Sequence, residues 1–320
     1  MRLGVVTEPL CGRPLNEVLA WLKRAAPEVT DLELVAGGYG PTDHCDRQGL
    51  LGDARRREAW LAEIREHGFR IAALNASGNP LHPDRTIAAR HDAELRETIR
   101  LAALLGVDRV VAMAGLPEAG ERGGEIPHFA AGGWLPYLEG VFEWQWERRV
   151  APYWTELCEF ARQEHPRLLI CLELHPGTCV YNVETFERAA ALGANIAANL
   201  DPSHFFWQGM DALAVVQAIG PRIGHAHAKD VAFNREALAL NGLLDHRWPR
   251  EPAALPWRFA AAGRVHDGEW WAELVAALGP TPARSLSIEH EDPLEPVEEG
   301  IAHSASVLGP LIAGRRDGGT

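Results

Sequence analysis

Eight short apolar runs alternate with eight helix-like segments over 320 residues, with no linker or charge block between them. That rhythm predicts an α/β chain folded as a single (β/α)8 TIM barrel domain spanning residues 1–320. A barrel of this kind needs about 250 residues, and the surplus falls into two insertions, after strands four and seven. An open doubly wound sheet would share the rhythm, but no GxGxxG follows the first strand.

The elements follow in order. Arg2 to Thr7 (RLGVVT) reads as strand one, and Leu15, Val18, Leu19 and Leu22 then recur at helical spacing before Pro27. Asp31 to Val35 (DLELV) is strand two, followed by a loop rich in Gly, Tyr and Pro and a helix from Asp53 to His67 that Gly68 closes. Arg70 to Asn75 (RIAALN) is strand three; the loop SGNPLHPD and a helix from Thr86 to Leu105 follow it. Strand four is Arg109 to Ala114. Residues 115–142 form the first insertion, which carries His128, Phe129, Trp134 and Tyr137; a loop of that length is usually functional or mobile. A helix from Glu143 to Glu164 leads into strand five, Leu168 to Leu174 (LLICLEL), and Asn182 caps a helix running to Leu192. Strand six is Ile196 to Leu200, a helix covers Asp211 to Ile219, and strand seven starts at Ile223. Residues 231–265 are the second insertion. A helix from Asp267 to Leu278, strand eight from Ser285 to His290 and a helix from Val297 to Ile312 complete the chain.

The formal charge of −13 opposes a phosphate backbone, which excludes nucleic acid as the expected partner. Met1 runs straight into a strand, with no charged n-region and no apolar stretch of about 18 residues, so no membrane partner is expected and a soluble cytoplasmic protein is. The five cysteines are scattered without a CxxC pair and read as reduced, mostly buried thiols. A homo-oligomer is left open.

In a barrel the chemistry sits where each apolar strand meets its first ionisable residue at the C-terminal end. Those residues are Glu173, Asp201, His227 and Glu289, ending strands five to eight. Carboxylates with one imidazole make a hard, mostly oxygen site for one divalent metal, Mn²⁺ foremost, with Mg²⁺, Co²⁺ or Zn²⁺ also compatible. Strand alternation puts His225, His227 and Lys229 on one face, with His225 one layer down in a supporting or structural role and Lys229 at the rim, facing substrate oxygen or phosphate. The chain has only two lysines, Lys23 and Lys229, so a lysine here stands out against an arginine-rich background. His175, His204 and Glu291 follow the strand-end acids at the rim, Asn75 ends strand three, and His82 lies in the GNPLHP loop. Phe205, Phe206 and Trp207, with Trp134, Trp144 and Trp146, offer flat faces for a sugar ring, although at least half of them are expected in the core.

These residues sit in LELHPG (172–177), NLDPSHFFWQG (199–209), GHAHAKD (224–230) and SIEHED (287–292). In that order, and with the GNPLHP loop, they make the chain resemble the xylose isomerase-like barrel superfamily, in its branch of sugar phosphate isomerases and epimerases. The resemblance implies that Glu173, Asp201, His227 and Glu289 bind the metal and that His204 contacts substrate. It implies a metal-dependent isomerase or epimerase of a ketose or keto-sugar derivative. Glu173 and Glu289 would exchange a proton next to the carbonyl through an enediolate, while His204 and Lys229 stabilise oxygen charge. His175, His82, Asn75 and Trp207 complete the expected substrate contacts. The alternative is a lyase or dehydratase in which the same enediolate expels water or an aglycone, as an inosose dehydratase or a C-glycoside-cleaving enzyme would.

Overall fold

The computed structural model describes residues 1–121, 123–132, 135–244, 246 and 251–314. Eight strands close into a barrel: β1 (Arg2–Val6), β2 (Val29–Val35), β3 (Arg70–Asn75), β4 (Arg109–Met113), β5 (Leu169–Glu173), β6 (Ile196–Leu200), β7 (Ile223–Ala228) and β10 (Ser285–Ile288), which returns to β1. The predicted barrel is therefore present, with each predicted strand in place to within a residue or two. Between β7 and β10 the second insertion forms an antiparallel hairpin of its own, β8 (Asp230–Phe233) with β9 (Trp257–Ala260), in register Asp230↔Ala260 to Phe233↔Trp257. The sequence reading had no strand there, because the short run DVAF follows β7 with a single residue between them and merges with it.

The helices are α1 (Leu15–Ala25), α2 (Arg47–Gly52), α3 (Ala54–Glu66), α4 (Arg85–Leu105), α5 (Val141–Gln145), α6 (Ala151–Glu164), α7 (Val183–Ala190), α8 (Ser203–Phe206), α9 (Ala212–Ile219), α10 (Arg235–Asn241), α11 (Gly268–Leu278) and α12 (Val297–Ala313). Their starts are chemically specified. Asp84, Asp211 and Asp267 cap α4, α9 and α11 by accepting backbone N–H bonds, and Asn182 caps α7 in a reciprocal box with Thr185. The single helix expected from Glu143 to Glu164 is α5 and α6 joined by a π-turn, Trp146–Val150. Beside it the first insertion is tied down by Gln145, whose side-chain nitrogen lies 2.8 to 3.2 Å from the carbonyls of Pro117, Glu118 and His128.

The chain forms two compact units, Leu34–Trp60 with Ile71–Asn199, and Met1–Glu33 with Leu61–Arg70 and Leu200–Thr320. The first is built on β3 to β6. Ala73, Val111, Cys171 and Ala197 form a buried cluster within it, with Leu169 packed against them. In the second unit β1 pairs with β10, and β10 with β7, while α12 packs on α11 and β1. Space is tight at Gly4, where a Cβ would stand 3.0 Å from Ser287 Oγ and 3.4 Å from Asp31 Cβ. Asp31 itself is fully buried at the start of this strand pair. Its carboxylate accepts from Arg2 Nε at 2.9 Å, Arg70 Nη2 at 3.0 Å and the Ser285 hydroxyl.

That carboxylate ties β2 to three other strands, β1, β3 and β10, so Asp31→Ala is expected to lower unfolding stability by about 2 kcal/mol, the scale of lost charge-assisted hydrogen bonds. Denaturant unfolding measures it; a midpoint unchanged from the parent would contradict the role.

Candidate functional site

On β7 the alternation of a strand turns His225 and His227 to the same side, and both meet one acid, Glu33 of β2. His225 Nε2 lies 2.7 Å from Glu33 Oε2 and 3.1 Å from Ser287 Oγ. His227 Nε2 lies 3.0 Å from Glu33 Oε2, while its Nδ1 is 3.2 Å from Glu289 Oε2. All three residues are fully or almost fully buried. Burial works against ionisation of Glu33, but the charges and hydrogen bonds of His227 and His225 outweigh it and hold this carboxyl well below the usual range. Burial likewise opposes a charge on His227, yet Glu289 and Glu33 raise its pKa well above that of an ordinary imidazole. With Nε2 donating to Glu33, the other ring nitrogen is directed toward Glu289.

Just beyond the strand ends, Asp201, His227 and Glu289 converge, each offering a ligand atom within 4.8 Å of the others. The Asp201 Oδ1 accepts from the Ser203 backbone at 2.9 Å. Its buried Oδ2 makes no aligned hydrogen bond and lies 3.1 Å from Lys229 Nζ and 3.6 Å from His204 Nε2. Burial would raise the Asp201 pKa, but Lys229, His204 and His227 together draw it below the usual carboxylate range. A buried carboxylate oxygen, a second carboxylate and an imidazole are the donor set of a hard divalent cation, so these residues fit one.

Lys229 is not at the rim. It is 1% exposed, packed with its ammonium 4.3 Å from the centre of the Phe259 ring, and it donates to Glu289 at 2.5 Å and to Glu291. The β8–β9 hairpin, starting one residue later, carries Phe259 and covers it. Asp230 anchors that hairpin: its carboxylate accepts from the backbone of Val231, Val265 and His266 and pairs with His266 Nδ1 at 2.6 Å. Glu8, just past β1, belongs to the same surroundings. Burial and the negative charges of Glu289 and Glu291 raise the pKa of this half-buried carboxyl.

Glu173 is the last residue of β5, buried, in register with Met113 of β4 and Asn199 of β6. His175 offers a ring nitrogen within 4.8 Å of a Glu173 oxygen, and its Nδ1 lies 2.6 Å from the Pro176 carbonyl. Asn75 ends β3 and turns its Oδ1 back to the Ser77 N–H at 2.9 Å. His82 accepts from the Asp84 N–H through Nδ1. His204 is buried, edge-on to the Phe259 ring. Trp207 stacks flat on Trp257 at 4.7 Å, and Phe206 on His266 at 4.0 Å, whereas Phe205 and Trp146 are core residues. Trp134 lies outside the described residues.

Residues 38–309 match the family model described as xylose isomerase-like TIM barrel. The chain belongs to that family. Within it, a curated relative is the uncharacterized protein YfiH of Bacillus subtilis (strain 168), 33% identical over 317 residues, covering 98% of this chain and all of that protein. Among solved structures, the probable 3-DHS dehydratase AsbF of Bacillus anthracis superposes with a TM-score of 0.65 at 13% identity, covering 96% of this chain and 98% of that one. The IOLI protein with a bound zinc atom superposes with a TM-score of 0.62 at 18% identity, covering 98% and 99%. Both share the fold of this family member.

Glu33 and Glu8 were missed in the sequence. A signal existed for Glu33: in DLELV the acids Asp31 and Glu33 alternate on a strand that is otherwise apolar, and both are fully buried. Glu8 gave none, since Glu-Pro after a strand reads as an ordinary turn.

Replacing Glu33 by Gln removes the charge that stabilises the His227 imidazolium, so the His227 titration should move to lower pH. An NMR titration of the imidazole signals in chelator-treated protein reads this directly. A His227 midpoint equal to that of the parent would show that Glu33 does not govern the ring.

Proposed function

We propose that this family member is a divalent-metal-dependent isomerase or epimerase of a ketose or keto-sugar derivative, working by proton transfer next to a carbonyl. The observation that carries the reading is the convergence of Asp201, His227 and Glu289 at the ends of three consecutive staves, β6, β7 and β10. Glu173, at the end of the next stave in the order, β5, is the proposed fourth ligand. The zinc atom in the IOLI structure supports a metal at such a barrel, with Mn²⁺ the proposed occupant here.

When bound, the cation supplies Lewis acidity that makes a C–H beside a carbonyl removable near neutral pH. Glu173 and Glu289 stand three staves apart in the barrel order, so they are suited to opposite faces of one carbon. One accepts the proton from carbon, and the enediolate forms as the C–H electron pair moves toward the carbonyl. The other returns a proton, to the opposite face for epimerisation or to the neighbouring carbon for isomerisation. Lys229 and His204 hold positive charge or donor hydrogens beside the oxygens where negative charge develops.

Elimination is the second reading. The solved neighbour AsbF is described as a probable 3-DHS dehydratase, and the same proton abstraction could expel a β-substituent.

A panel of ketoses and keto sugars incubated with the protein and Mn²⁺ in D₂O tests the proposal. Carbon-bound deuterium in an epimeric or isomeric product is expected; loss of water or aglycone would instead favour elimination, and no exchange with any substrate would overturn both. Glu173→Gln and Glu289→Gln should each lower turnover by at least about a hundredfold, the scale of a lost general acid or base. Near-parental rates in either variant would remove that residue from the mechanism.

A further inference from the structure

Next to Glu173 the unit built on β3 to β6 contains a cavity of about 540 Å³, within the size range of small-ligand sites. Its polar lining includes Tyr39, Asn79, His82, Arg90, His91 and His175, and none of its lining residues is acidic. In a chain with 44 acids and 31 lysines and arginines, an acid-free lining with one arginine and three histidines is a local reversal of charge. Glu94, an acid close by on α4, is turned toward the Gly38 N–H at 2.8 Å and Arg47 at 3.8 Å.

The hydrogen-bond polarity of the cavity is more specific than its charge. His91 is 2% exposed, and its Nδ1 accepts from the Asn79 backbone N–H at 2.9 Å. A neutral imidazole that accepts at Nδ1 carries its proton on Nε2. Burial, together with the neighbouring Arg90 charge, lowers the His91 pKa and favours that neutral ring. Yet His91 Nε2 faces Arg90 Nη2 at 2.9 Å, and a guanidinium can only donate. Two donors are therefore directed at each other, an arrangement that an acceptor placed beside both would relieve. His82 is set the same way: its Nδ1 accepts from Asp84, so its Nε2 is a third donor on the same cavity. Tyr39 packs edge-on against His91 at 5.0 Å and closes one side.

We propose that this cavity binds an anionic group of the substrate, a phosphate or a carboxylate, through Arg90 and the Nε2 hydrogens of His91 and His82. Calling the ligand the substrate rests on the function proposed above; the anion site itself does not. Because His175 lines the cavity and offers a ring nitrogen within 4.8 Å of a Glu173 oxygen, a sugar whose anionic group sits here is within reach of Glu173. The site therefore selects a charged sugar over its neutral counterpart.

Calorimetric titration of the full-length protein, with and without chelator, tests this using D-fructose 6-phosphate, D-gluconate and D-fructose as probes. At least one of the two anions should bind about tenfold more tightly than D-fructose, the discrimination expected of a charge-assisted contact. Whichever anion wins identifies phosphate or carboxylate as the group. Arg90→Met should bring that anion to within about twofold of D-fructose, while the exposed control Arg55→Met keeps the preference. Equal binding of all three probes, or an anion preference that survives Arg90→Met, would overturn the proposal. Because binding is read without turnover and also without metal, this result stands or falls separately from the deuterium exchange.

Discussion

Glu33 is a carboxylate with no exposed surface, and an unpaired charge so placed would cost several kcal/mol. It is tolerated because two imidazoles from β7, His225 and His227, point at it from adjacent layers. The arrangement also works in the other direction. One carboxylate fixes both rings, and by occupying His227 Nε2 it turns the remaining nitrogen toward Glu289 and the strand ends. The orientation of the candidate ligand His227 is thus set from below the site, by a residue on β2, before any substrate or ion is considered.

Above that layer the balance of charge is close. Asp201, Glu289 and Glu291 all approach the Lys229 ammonium, which the Phe259 ring covers on one side. The hairpin that supplies Phe259 is held at its root by Asp230, whose two oxygens accept from three backbone N–H groups and the His266 ring. The second insertion therefore has a structural consequence at the site: it converts a lysine that would face water into a buried cation among carboxylates. A buried cation of this kind holds the acids together electrostatically.

Much of this was legible in the sequence because barrel geometry is periodic. Glu173, Asp201, His227 and Glu289 could be located at strand ends from the point where each apolar run meets an ionisable residue, and the Asn182 cap from its side chain alone. What escaped notice depended on contacts between distant parts of the chain. Glu33 is 192 residues from His225, and nothing local in DLELV names a histidine partner. The burial of Lys229 was hidden because it depends on β9, whose partner strand follows β7 too closely to be separated by pattern. The opposed donors of Arg90 and His91 are adjacent in sequence, but their polarity follows from the Asn79 N–H, which only the folded loop brings to the ring.

Glu33 thus holds His227 with Nδ1 facing the side on which Asp201 and Glu289 offer their oxygens, the geometry that the proposed metal site requires. Crystals soaked in Mn²⁺ and recorded near the manganese absorption edge test it most directly. The expected result is a single anomalous peak bonded to His227 Nδ1 and to oxygens of Asp201, Glu289 and the proposed fourth ligand Glu173, with Glu33 still on Nε2. A peak bonded through His227 Nε2, or seated among other residues, would contradict it.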